Sequence, residues 1–242
     1  MFYFVNGARN MQTPNPINLE FSRKYNREHA EQYLRKHQNG MARRLSHWRD
    51  EQLASRALKE VGDPKVVLDI PCGAGRFWPL LAAKNDRVIL AADNSSDMIS
   101  IAMSGQSADI VERVEAFQTS AFSIDIADSA VDCVFCMRLL HHIAESNHRM
   151  AMLREFYRVS RDTIIVSLWV DGNYKAFRRR RLEKKRIAGE GVGKNRNRFI
   201  VPKKVIESEF NEAGFVIAGH HDFLPGYAMW RVYVLQKELK NK

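Results

Sequence analysis

The chain has 242 residues, 45% hydrophobic and 27% charged, which is long enough for one sizeable core and ordinary for a globular α/β domain. No apolar run approaches the roughly 18 residues of a membrane span, and 3 cysteines cannot build a disulfide framework. The net charge of +10 is local: residues 171–204 hold 13 Lys/Arg against 3 Asp/Glu, and the remaining chain holds 25 of each.

The opening stretch "MFYFVNGARN" has an apolar cluster too short for a signal peptide and no basic region before it, so the expectation is a cytoplasmic protein. Residues 1–18 read as a flexible N-terminus, with "PNPIN" a loop by its prolines and asparagines. Residues 19–60 follow a helical, mixed-charge pattern and form a helical cap. Tyr25, His29 and Tyr33 recur at spacing four, then Met41, Leu45 and Trp48 at four and three, with Gly40 between two helices.

Past the break at "GDP", apolar runs alternate with helical patterns over residues 61–242. "KVVLDI" is a strand, "GRFWPLLAAK" a helix with Pro79 early in it, and "DRVILAAD" a second strand. "SSDMISIAMSG" is a helix opened by a serine or asparagine cap and closed near Gly105. "VERVEAFQTS" holds the third strand and "AVDCVFCMRL" is the fourth. Then come the helix "HRMAMLREFYRV", the strand "TIIVSLWV", the basic insertion 171–204 and the helix "PKKVIESEFNEAG". Strands near "FVIAGHHDF" and "WRVYVLQKE" close the chain. Such alternation predicts a doubly wound, mostly parallel sheet of seven strands. Cys133 and Cys136 form a CxxC, but on a strand residues three apart face opposite ways, so burial is expected and no metal site.

In such a sheet ligands bind beyond the carboxyl ends of the strands, where "LDIPCGAGRF" lies. Gly73 and Gly75 allow close approach to the main chain, and Asp93 ends strand two, eighteen residues after Gly75, where an acid can hold two ribose hydroxyls. A P-loop would need GxxxxGK[ST], which is absent, and a dinucleotide GxGxxG would need a small residue where Trp78 stands. The remaining reading is a ligand with a ribose and a cationic, amino-acid-like end. Asp69 beside the loop would repel a pyrophosphate and favour an ammonium or sulfonium.

"VVLDIPCGAGR" followed by "LAADNSSDMISIA" resembles the first two motifs of class I S-adenosylmethionine-dependent methyltransferases of the small-molecule type. "AVDCVFCMRLLHHI", "MLREFYRVSRDTIIVSLW" and "KVIESEFNEAGFVI" resemble that family's later strands and helices, so the likeness covers about residues 60–240. The resemblance implies the Rossmann-like fold and S-adenosylmethionine as cofactor. It implies that Asp69, Pro71, Cys72, Gly73 and Gly75 surround the methionine part, that Asp93 holds the ribose with Asn94 and Met98 beside the adenosine, and that Ser120, Ala121 and Phe122 line the adenine. It also implies an N-terminal helix that closes as a lid. Pro71 stands where the family most often has its first glycine, "QTSAFS" lacks an acid near the adenine amine, and "VSRDT" replaces a Pro-Gly-Gly turn.

For chemistry the chain offers His142 as a base or a pocket wall at the end of strand four, beside His141, and a second pair, His220 and His221, near Asp222. The run Arg178, Arg179, Arg180, Arg181, Lys184, Lys185 and Arg186 reads either as a solvated helix face or as a gate for an anionic partner, with Gly189, Gly191 and Gly193 giving flexibility. Few aromatic platforms accompany it, so nucleic acid is not favoured, while membrane-surface contact stays open. Two functions result. One is a methyltransferase acting on a small-molecule or anionic acceptor of the phosphorylated glycan or glycolipid kind. The other is a regulatory binding protein on the same scaffold, whose insertion takes a polyanion: a signalling nucleotide, lipid or nucleic acid.

Overall fold

The computed structural model describes Ile17 and residues 41–188 and 197–238. The seven strands expected from sequence form one sheet, in the order β3-β2-β1-β4-β5-β7-β6. They are β1 Val66–Asp69, β2 Val88–Asp93, β3 Val114–Gln118, β4 Val131–Cys136, β5 Ser160–Trp169, β6 Phe215–Asp222 and β7 Trp230–Lys237. Only β7 runs against its neighbours β5 and β6. The helices are α1 Met41–Glu60, α2 Trp78–Ala82, α3 Ser96–Gly105, α4 Ala108–Val111, α5 Ser146–Val159, α6 Tyr174–Ala188 and α7 Lys203–Glu212.

The central strands are apolar on both faces because helices cover both. One layer packs α5 and α7, through Leu153, Phe156, Ile206 and Phe210, on Leu68, Val134, Ile164 and Tyr233. The other packs α1, α2 and α3, through Leu53, Leu58, Trp78 and Ala102, on Val67, Phe135, Ile165 and Val232. Cys133 belongs to this second layer and Cys136 to the first, so the two thiols are buried on opposite faces as strand geometry requires.

Helix α1 is the described part of the N-terminal helical segment expected from sequence. Leu53, Ala54, Ala57 and Leu58 are all 2% exposed or less and make it part of the core, whereas Leu45 and Trp48, read as its apolar stripe, are 64% and 54% exposed. Its buried face is built half from alanines, which carry a weak periodic signal. At its end Glu60 Oε2 meets His221 Nε2 at 2.7 Å, so that histidine anchors α1 to β6. Asp222 is held by both forks of Arg231, at 2.7 and 2.9 Å. Tyr25, His29 and Tyr33 lie outside the described residues.

Local signals explain the other elements. Ser95 caps α3, its hydroxyl accepting from Met98 N–H at 3.3 Å. At "VSRDT" no turn intervenes: α5 ends at Val159 and β5 starts at Ser160, whose hydroxyl donates to the Phe156 carbonyl at 2.7 Å.

Candidate active site

Because β1 to β4 are parallel neighbours, the loops after them converge on one cleft. It contains about 1110 Å³ of empty space, open mouth included, so it is a cleft open to solvent. Of the residues assigned to the cofactor from sequence, Pro71, Cys72 and Gly73 line it from the β1 loop, and Asp93, Asn94 and Met98 from the β2 side. Ser120, Ala121 and Phe122 line it after β3, and His142 after β4. Ile17, placed in the flexible N-terminus from sequence, also lies on the wall.

The glycine loop has a definite shape. Gly73 and Gly75 adopt φ of +54° and +69°, which other residues enter only at a cost. A Cβ at Gly75 would also stand 2.9 Å from the Trp78 ring, so the turn packs on that indole only with a bare backbone. Trp78, which argues against a dinucleotide fingerprint, is the floor of this turn. Asp93 ties the loop to β2: Oδ2 accepts from Gly73 N–H at 3.0 Å and Oδ1 from Ser95 N–H at 2.9 Å. Burial raises the Asp93 carboxyl pKa, and the backbone N–H bonds oppose that rise. Each carboxylate oxygen has further acceptor capacity for a ligand hydroxyl.

Asp69 and Gly75 are not on the cleft wall. Asp69 is 1% exposed. Burial, reinforced by the charge of Asp93, holds its carboxyl well above the usual carboxylate range, and the nearby Trp78 indole counters this only partly. Its Oδ2 makes no hydrogen bond. A sulfonium or ammonium in the cleft would bring positive charge toward that buried acid. With the bare loop, the Asp93 acceptors and the apolar walls of Ile70, Met98 and Phe122, these residues fit S-adenosylmethionine.

His142 faces the cleft with Nδ1 2.5 Å from the Asn197 carbonyl, which fixes Nδ1 as the donor. Burial lowers its pKa to about 4, against the Asn197 bond, which raises it. An imidazole so reluctant to take a proton suits an orienting hydrogen bond better than proton abstraction. His141 is buried against Trp169 and Trp230, with ring centroids at 5.1 and 4.6 Å, and burial also drives its pKa down. Both rings stay neutral in the fold but protonate when unfolded, so unfolding takes up protons below the ordinary histidine value of 6.5. Stability should therefore fall as pH drops from 6.5 toward 4, and His142→Gln should flatten part of that fall. Urea midpoints at neutral and acidic pH would show it; an identical slope in the variant would refute the assignment.

Sequence reasoning missed a cationic cluster. Arg76, following the glycine loop, and Arg138, following β4, both line the cleft, and both bond to Asp50 Oδ2 of α1, Arg76 at 2.7 Å. Asp50 is 4% exposed, so one buried carboxylate serves two guanidinium groups. Arg76 Nε also donates to His47 Nδ1 at 2.8 Å. Burial and then the Arg76 charge keep that imidazole pKa low, which leaves Nδ1 able to accept. Arg138 has φ +65°, costly for a residue with a side chain, and its N–H is held by Ser167 Oγ at 2.8 Å. Its guanidinium lies 4.7 Å from the Trp230 ring centroid, and its buried Nε has no partner. Arg76 and Arg138 both stand in the quoted motifs, but their meeting with Asp50 is made only by packing α1 on the sheet.

The arginine run is divided by the helix that carries it. Arg179 turns inward onto the Trp169 ring at 4.9 Å and donates to the Arg198 carbonyl, and Arg180 pairs with Asp171 at 3.2 Å. Arg178 and Arg181 are exposed. Lys184, Lys185 and Arg186 belong to α6, but their side chains, like residues 189–196, lie outside what is described. The chain from Asn197 to Val201 packs behind the His141–His142 segment, with Phe199 N–H on the His141 carbonyl at 2.7 Å. Among the described residues no group of His, Cys, Asp and Glu could hold a metal ion, and no helix is long and apolar enough to cross a membrane.

Residues 67–163 match the family model of a methyltransferase domain. The chain is 24% identical over 134 residues to the tRNA (carboxymethyluridine(34)-5-O)-methyltransferase ALKBH8 of Mus musculus, covering 54% of this chain and 19% of that relative's length. It spans about a third, 35%, of an uncharacterized methyltransferase-like protein of Schizosaccharomyces pombe, at 25% identity. In fold it is similar to the magnesium protoporphyrin IX methyltransferase of Synechocystis PCC 6803, solved with bound SAH, at a TM-score of 0.70 and 16% identity over 90% of this chain and 99% of that one. Family match, sheet order and glycine loop agree: residues 67–163 match a methyltransferase domain, the sheet is that of class I methyltransferases, and the cleft residues fit S-adenosylmethionine.

Proposed function

We propose that the protein methylates a small anionic acceptor, docked by Arg76 and Arg138 beside the cofactor. The observation that carries this reading is the shared counter-ion. Arg76 and Arg138 both line the cleft and both bond to Asp50 Oδ2, which gathers two guanidinium groups where a second ligand would sit. Guanidinium groups recognise carboxylate and phosphate through charge-assisted hydrogen bonds. The mouse relative is named for a carboxymethyluridine substrate, in keeping with an acidic acceptor.

S-adenosylmethionine supplies an activated methyl group on a sulfonium. The chain's own work is to hold, align and dry the reactants. Asp93 binds the ribose hydroxyls, Asn94 and Met98 flank the adenosine, and Ser120, Ala121 and Phe122 border the adenine. Pro71, Cys72 and Gly73 bring bare backbone to the amino-acid end, with Asp69 behind them. Phe77, Met137 and Leu139 form an apolar wall that excludes water near the arginines. An oxygen already anionic at neutral pH needs no base, which agrees with a His142 pKa near 4. His142 then orients the acceptor.

With methyl-labelled S-adenosylmethionine, carboxylate- or phosphate-bearing small molecules should take up label and their neutral amides or alcohols should not. Arg76→Gln and Arg138→Gln, each made with Asp50→Asn so that no lone carboxylate remains, should each lower kcat/KM for such an acceptor by about tenfold, the worth of a charge-assisted contact of ~1.5 kcal/mol. S-adenosylhomocysteine affinity should not change. Equal labelling of neutral and anionic acceptors would overturn the reading.

A further inference from the structure

Five exposed apolar side chains gather around α6 and the β6–β7 loop that holds its first turn. Tyr174, Phe177 and Leu182 are 53%, 65% and 46% exposed, and Leu224 and Tyr227 are 48% and 45% exposed. The two segments are one unit, because Tyr174 N–H and Lys175 N–H donate to the Gly226 and Tyr227 carbonyls at 2.9 and 3.0 Å. The Tyr174 and Tyr227 rings stack on each other at 5.7 Å and 11°.

Helix periodicity gives the patch a direction. Tyr174, Phe177, Arg178 and Arg181 stand at i, i+3, i+4 and i+7, one stripe of the helix, and all four are exposed. Ala176 is buried at 1%, and Arg179 is turned onto Trp169, so the opposite face is the one that packs on the protein. Lys175 sits 5.1 Å from the Tyr227 ring centroid at the edge of the patch. Arg178 and Arg181 have no ion-pair partner among the described residues, whereas Arg179 and Arg180 pair with Glu183 and Asp171.

We propose that this face is a docking surface for an anionic phospholipid membrane. An amphipathic helix at a lipid interface buries aromatic and aliphatic side chains at the headgroup–acyl boundary while its cations meet lipid phosphates. The patch supplies both parts on one side of the molecule. Leu182, Leu224 and Phe177 gain from leaving water only where apolar matter receives them, and a nucleic-acid backbone offers none. Tyr174 and Tyr227 already spend one ring face on each other, which leaves poor platforms for stacking bases. No Asn or Gln stands on the stripe to read base edges.

The test is sedimentation of the full chain with vesicles of phosphatidylcholine alone and with about a third phosphatidylglycerol, at low and high salt. Binding is expected only to the anionic vesicles, weakening as salt rises. Arg178→Gln with Arg181→Gln should weaken it by about thirtyfold, roughly fivefold per cation at the surface. Phe177→Ser with Leu224→Ser should weaken it as well. Both pairs should retain S-adenosylhomocysteine affinity, which shows that the fold is intact. Three results would overturn the proposal: no binding to anionic vesicles, binding indifferent to both pairs, or loss with the arginine pair alone while a single-stranded oligonucleotide competes, which would make the face a nucleic-acid site.

Discussion

Glu209→Ala should destabilise the fold by about 3–5 kcal/mol, the cost of leaving a buried charge without its partner. Arg149 and Glu209 are 4% and 5% exposed. They join α5 to α7 through two parallel bonds of 2.8 and 2.6 Å. The same guanidinium donates to the Ile143 and Ala144 carbonyls at 3.1 and 2.6 Å, and Ser146 Oγ donates to Glu209 at 2.7 Å. The loop held in this way begins right after His142. The ion pair therefore links the core to the cleft wall, and its loss should also loosen the residues that face the acceptor. Urea unfolding would read the first effect. The double change Arg149→Met with Glu209→Leu is the control, because removing both charges together avoids the stranded guanidinium and should recover most of the loss. A change below about 1 kcal/mol for Glu209→Ala would mean that water already reaches the pair.

Much of this molecule was legible in its sequence because the signals were local. A strand of three apolar residues closed by an acid, two glycines just after it and a second acid at the end of the next strand fix the position of the cleft. The Cys133–Cys136 spacing was readable for the same reason: strand period alone puts the thiols in different layers. What could not be read depends on distant pieces meeting. Arg76, Arg138 and Asp50 come from a loop, a strand end and a helix, and no spacing in the chain connects them. Arg149 and Glu209 are sixty positions apart.

The buried face of helix α1 was hard to read for a subtler reason. Leu45 and Trp48 look like an apolar stripe, but the face that packs on β6 and β7 carries Ala54 and Ala57, whose small size lets the helix lie close to the sheet. The arginine run shows the opposite limit. Composition marks residues 171–204 as the source of the whole charge imbalance. Only the helix geometry separates Arg179, spent on Trp169, from Arg178 and Arg181, which face solvent.

Asp93→Ala should weaken S-adenosylhomocysteine binding by roughly 10- to 150-fold, the equivalent of ~1.5–3 kcal/mol for hydrogen bonds to a charged group. Two losses combine. With the ribose placed on Asp93 as proposed, its hydroxyls lose their acceptor, and the Gly73 and Ser95 N–H groups lose the carboxylate that bonds them at 3.0 and 2.9 Å, so the glycine loop is no longer tied to β2. Asp93→Asn separates these contributions. Its one carbonyl oxygen can serve one backbone N–H, but its amide donates where the second N–H needs an acceptor, so its affinity should fall between wild type and alanine. The pH dependence carries a further signature. Burial raises the Asp93 carboxyl pKa, so the folded protein holds that proton to higher pH than the unfolded chain. The group's charge therefore costs stability above the folded pKa, and that cost disappears as pH falls below the unfolded value. Asp93→Ala should consequently lose less stability at neutral pH than its two broken bonds suggest, while its affinity loss stays large. Titration calorimetry beside urea unfolding would separate the two quantities. Unchanged affinity in a folded Asp93→Ala protein would place the ribose elsewhere in the cleft.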